Sequence, residues 1–113
     1  MAQLYKRLGA LASTGTIGTA DTLYTASATA ATSTVLSTIS ICNTAATSAT
    51  YRICINTSAA FATAGYIAFG GTVSANDTIF LTVGTVLDPT NRYLMCSASA
   101  ATVVFAAFGV EIS

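Results

Sequence analysis

The stretch STVLSTISICNTAATSATYRICIN, Ser33 to Asn56, sets two runs of alternating apolar residues on either side of a loose Thr, Ala and Ser segment. Alternation of period two marks a strand with one buried face. It predicts strands over Thr34–Cys42 and Thr50–Asn56, folded back on each other as a hairpin. Val35, Ile39 and Ile41 on the first strand, and Tyr51, Ile53 and Ile55 on the second, are expected to enter the core. The opposite face carries Ser40, Cys42, Thr50, Arg52, Cys54 and Asn56, and is expected to meet solvent or a partner. Asn43 closes the first strand, where its side-chain oxygen suits an Asx-type turn ahead of Thr44–Thr47.

Working outward, the same alternation recurs in short segments, and no stretch keeps a 3.6-residue apolar period. Further strands are predicted over Leu4–Leu8, Thr22–Ala26, Tyr66–Gly70, Asp77–Val83, Arg92–Ser97 and Thr102–Ile112. The breaks between them carry turn chemistry: Gly70-Gly71, Ser74-Ala75-Asn76-Asp77, and Asp88-Pro89-Thr90-Asn91 with the one proline at a turn's second position. Seven to eight strands of this length in 113 residues point to an all-β fold, a single-domain antiparallel β-sandwich that is jelly-roll-like or Ig-like. Residues 1–20 are expected to form an extended N-terminal arm and a Gly, Ala, Ser and Thr connector, and residues 21–113 the sandwich.

Charged residues make up only 7% of the chain, four basic and four acidic, with no net charge and no histidine. A typical soluble domain carries roughly 25%. Without a basic face to displace counterions, no nucleic acid is expected as partner, and a membrane-surface role fails for the same reason. The longest apolar run, Val103–Val110, is far short of the roughly 20 residues that span a bilayer, and residues 1–13 lack the continuous apolar core of a secretory signal. Polarity comes from hydroxyls instead, 20 Thr and 11 Ser. So neutral a surface provides little self-repulsion and favours association.

The residues offer no assembled chemistry, and an enzyme is not expected. Histidine, the commonest acid–base group, is absent. Asp77 and Asp88 sit in turns where a carboxylate caps the backbone, and Glu111 is expected to pair with Arg52 or Arg92. The glycines make no phosphate-cradling loop. Cys42, Cys54 and Cys96 fit no metal spacing. Cys42 and Cys54 flank the predicted hairpin, which leaves a disulfide open, while buried small apolar side chains are the plainer reading. No catalytic, cofactor-binding or metal residue is therefore assigned.

Contact surfaces are easier to nominate. The last strand is apolar on both sides, with Val104, Phe108, Val110 and Ile112 on one and Val103 and Phe105 on the other. Such a strand must be covered on both sides. Val103 and Phe105, with Leu4, Tyr5 and Leu8 of the arm, form the candidate subunit interface; the alternative is that the N-terminal segment folds over them within the same chain. Tyr66 and Phe69, in Gly65-Tyr66-Ile67-Ala68-Phe69, form a candidate aromatic patch for a glycan or a partner.

The order of segments MAQLYKRLG, TLYT, VLSTISICN, SATYRICI, YIAFG, ANDTIFLTVG and FAAFGVEI resembles small all-β virion structural proteins of tailed bacteriophages over nearly the whole chain. The matched features are Asn43 after an apolar strand, the Ala75-Asn76-Asp77 turn, and Phe105, Phe108, Gly109 and Glu111 in the closing strand. The three cysteines and the short Phe61–Ala64 linker depart from that pattern. The resemblance implies a particle component that decorates or cements the capsid by contact with the major capsid protein, or else a tail, baseplate or fibre subunit; a carbohydrate-binding attachment module is the third reading. It further implies a homo-oligomer, expected as a trimer, located in the virion and made in the host bacterial cytoplasm, where thiols stay reduced.

Overall fold

Residues 3–30 and 32–112 are described by a computed structural model. Eight strands follow in order: β1 (Gln3–Ala12), β2 (Asp21–Thr25), β3 (Ser33–Asn43), β4 (Ala49–Asn56), β5 (Tyr66–Val73), β6 (Thr78–Leu87), β7 (Tyr93–Ala98) and β8 (Val103–Ile112), with a single 3-10 turn at Thr63–Gly65 before β5. Each strand of the first half pairs antiparallel with its counterpart in the second: β1 with β8, β2 with β7, β3 with β6, and β4 with β5. The doubled chain then rolls up, and β3 joins β8 while β4 joins β7. Two four-stranded sheets result, sheet A in the order β1-β8-β3-β6 and sheet B in the order β2-β7-β4-β5. This is the jelly-roll arrangement of the β-sandwich.

The topology corrects the reading of residues 33–56. β3 and β4 are not a hairpin but lie in opposite sheets, and residues 44–48 carry the chain across the end of the sandwich. Alternation reports one buried face per strand, a condition that a hairpin and a sheet-to-sheet crossing satisfy equally. Cys42 and Cys54 consequently sit in different sheets, and all three cysteines are free. Burial pushes the Cys96 thiol far above its ordinary value.

Inward-facing residues of both sheets make one core, including Leu23, Leu36, Ile39, Ile41, Tyr51, Ile53, Val73, Leu87, Leu94, Val103 and Phe105. Tyr51, Ile39, Ile41 and Ile53 enter it as expected, but Val35 does not. The register of β3 shifts between Leu36 and Thr38 against both neighbours, so Leu36 is fully buried and Val35 turns outward, half-buried. Gly84 supports the same irregularity from β6 at φ 58°, a backbone state that disfavours other residues. Cys54 is likewise buried rather than exposed; residues 57–65 fold over it, and its Sγ lies 3.6 Å from the Ala62 carbonyl.

Nor are residues 3–12 a free arm. β1 runs along the edge of sheet A, paired from Gln3↔Ile112 to Ala12↔Val104, so the connector is only residues 13–20. Gly9 makes this possible, because a Cβ there would strike the backbone carbonyl of Leu23 in the facing sheet.

Asn43 ties one end of the sandwich together. Its buried amide nitrogen donates to the Thr47 carbonyl at 2.7 Å and lies 3.4 and 3.3 Å from those of Val73 and Ser74. Its oxygen accepts from the Ala45 amide at 3.1 Å, the Asx turn read from the sequence, and from the Thr102 hydroxyl at 3.3 Å. One side chain thus holds the β3–β4, β5–β6 and β7–β8 connections. Asn43→Ala is expected to cost about 2–3 kcal/mol in urea unfolding by stranding these buried groups. Asn43→Asp is expected to cost more, since it sets a carboxylate against carbonyl oxygens.

Candidate functional site

The two sheets differ in what covers their outer faces. On sheet B the chain covers the part of the outer face formed by β7 and the end of β4. Ser97 of β7 is buried, donating from its hydroxyl to the Ile17 carbonyl at 2.6 Å, so the β1–β2 connector lies over it. Cys54 is sealed by the segment leading into β5, and Met95, its outward-facing neighbour on β7, is also buried.

Sheet A has no such cover among the described residues. Strand pairing aligns its outward side chains in rows: Tyr5, Val110, Val35 and Val86; then Arg7, Phe108, Thr38 and Thr82; then Ala10, Ala106, Ser40 and Phe80; then Ala12, Val104, Cys42 and Thr78. Phe80 is 67% exposed, Tyr5 62% and Val86 51%. Arg7 is the one charge in these rows. A face of mostly apolar and hydroxyl side chains with a single charge is a candidate interaction surface.

Sheet A therefore revises the interface read from the sequence. Val103 and Phe105 are fully buried in the core, and the second apolar side of β8 is the outward one, with Val104, Phe108 and Val110. Both sides are apolar, but the inner one is recognisable only with its neighbours in place. There Gly109 leaves room for the Val35 carbonyl of the neighbouring strand and for Leu8, whose Cδ1 would lie 3.1 Å from a Cβ on Gly109. Leu8 is thus half-buried against the core, whereas Tyr5 is on the outer face. The Leu4 side chain lies outside the described residues.

Tyr66 and Phe69 are brought together at the open edge of sheet B, edge to face with ring centroids 4.9 Å apart. Phe61 extends the group, 5.4 Å from Tyr66, and the Arg52 guanidinium lies 4.3 Å over the Phe69 ring. Phe69 is 63% exposed, and the Arg52 Nε is buried without a hydrogen-bond partner. Sequence reasoning missed Phe61 and Arg52. Arg52 pairs with Phe69 across β4 and β5, a neighbour that only the register reveals.

The carboxylates have structural partners. Asp88 accepts from the Asn91 and then the Thr90 amide, which hold it below its ordinary value, and Asp21 accepts from the Thr14 amide and hydroxyl. Glu111 pairs with Lys6 at 2.7 Å and accepts from the Tyr24 hydroxyl at 2.5 Å, not with Arg52 or Arg92; β1 lies beside β8 and brings Lys6 within reach. Arg92 instead donates from Nε to the Ala26 carbonyl at 2.9 Å. Among the described residues no three His, Cys, Asp or Glu side chains cluster to hold a metal, and no helix is long and apolar enough to cross a membrane.

No protein-family model and no curated protein matches the chain. Among solved structures, one described as that of infectious bursal disease virus Gt strain is similar over 98% of this chain, with 13% identity and a TM-score of 0.45. The chain spans 29% of that chain's length.

Hydrogen bonds from Lys6 and then Tyr24 hold the Glu111 carboxyl below its usual 4.5. A depressed folded-state value stabilises above the unfolded value and is lost as pH falls through the folded one. Wild type is therefore expected to exceed Glu111→Gln in thermal stability at pH 6–8, by less than about 1 kcal/mol because the pair is solvent-exposed. The gap is expected to close on acidification below about pH 4, which melting curves across that range would show.

Proposed function

We propose that this protein is a non-enzymatic structural component of a tailed-phage virion, which decorates or cements the capsid through subunit contacts. The observation that carries the reading is the outer face of sheet A: rows of valine, alanine, phenylalanine and hydroxyl side chains, with one arginine and no carboxylate, left uncovered by the rest of the described chain. Leaving a Phe side chain in water forfeits about 1.5–3 kcal/mol relative to burial, so such a face is built to be covered. The order of sequence segments supports a phage particle as the setting, and the jelly roll is an architecture that viral capsids use. The buried Cys54 and Cys96 and the separation of Cys42 from Cys54 suit assembly in a reducing cytoplasm.

The aromatic group of Phe61, Tyr66 and Phe69 with Arg52 is the second uncovered apolar surface and the candidate contact with the particle. Aromatic side chains and Arg are the residue types enriched at protein–protein interfaces, and here they stack on one another at the surface.

Immunogold labelling of purified virions tests the reading. Label over the heads is expected; label on tails alone transfers the role to a tail component, and unlabelled particles overturn it. In a binding assay with particles stripped of this protein, Phe69→Ser is expected to weaken attachment at least tenfold, with unchanged thermal stability.

A further inference from the structure

We infer that the outer face of sheet A is covered by the same face of a second copy, in a two-fold dimer of stacked jelly rolls. The inference rests on the reading of that face as a contact surface and names its occupant.

Three observations select a second copy. The first is shape. A two-fold axis parallel to the strands lays β1 over the partner's β6 and β8 over its β3, keeping the rows in register. Phe80, which projects from β6, then meets the hollow over Ala10 and Ala106, and Phe108 meets Thr38. Large side chains face small ones twice over, as packed sheets require.

The second is charge. A face that docks on itself buries each of its charges twice, and this one carries only Arg7, on edge strand β1. The axis sends the two arginines to opposite edges, each over Thr82 of the partner subunit. No like charges meet and no carboxylate is stranded.

The third is area. Four strands about 4.8 Å apart and eight residues rising about 3.3 Å each give about 500 Å² per copy. The pair therefore removes about 1,000 Å² in total, at the threshold of a specific interface. A face docking on itself is isologous and closes at two copies, in contrast to the trimer expected from the sequence resemblance.

Sedimentation velocity on the purified chain up to about 100 µM, above the micromolar dissociation constant that so small an interface allows, is the test. The expected species has twice the mass of one chain. Phe80→Asp, at an exposed position, is expected to give a monomer with wild-type circular dichroism, and Phe69→Ser on the other sheet to remain dimeric. Cys42 faces outward on sheet A and is the one cysteine not fully buried, so its rate of maleimide labelling is expected to fall severalfold as wild-type concentration rises. A wild-type monomer at about 100 µM, a trimer, a Phe80→Asp dimer, or Cys42 labelling independent of concentration would each overturn the inference. Immunogold label on virions alongside a monomer in solution would leave the virion reading standing and remove only the dimer.

Discussion

The ladder between β3 and β8, from Ser33↔Ile112 to Asn43↔Val103, is the contact on which the other strands depend. It joins two residues nearly eighty positions apart at one end and supplies much of the core with its inner face: Leu36, Ile39 and Ile41 from one strand, Val103, Phe105 and Ala107 from the other. β1 and β6 extend it on either side to complete sheet A. Asn43 pins its end, so the connections that cross between the sheets leave from a fixed point.

From that ladder follows an asymmetry between the two sheets. Sheet B is the shorter-stranded one and lies partly beneath its own connectors, with Ile17 over Ser97 and the segment before β5 over Cys54. The connectors reaching over sheet B leave sheet A uncovered, even though its outward rows are the more apolar. A chain with so few charged side chains has little else to place there, and hydroxyls such as Thr38, Ser40 and Thr82 are a modest barrier to burial. Hydroxyls satisfy water in the free state and part with it at smaller cost than carboxylates or ammonium groups do.

Strand existence and the sandwich class were legible in the sequence, because period-two alternation follows directly from a half-buried pleat. Asn43 and the Asp88 turn were legible too, since their side chains bond backbone within a few residues. Long-range pairing was not. Nothing local distinguishes a hairpin at residues 43–50 from a crossing to the opposite sheet, and the one-residue shift at Leu36–Thr38 exchanges Val35 for Leu36 without disturbing the alternation on either side. The faces of β8 were misassigned for a related reason. Both are apolar, and the inner one is recognisable only when Leu8 is seen filling the space over Gly109. Tyr66 and Phe69 could be found together because they are three residues apart, whereas Arg52 and Phe61 join them only through register and a folded-back segment.

The pairing of β1 with β8 also governs the order in which the molecule can be made. Sheet A receives its second strand last: β3 and β6 can pair as soon as β6 is made, but β1 has no partner in the sheet and the other edge of β3 stays open until β8 has been translated. Folding of such a chain is dominated by closure of long loops and is slow for its size. An edge strand carrying Lys6 and Arg7 is meanwhile a poor template for pairing with another chain.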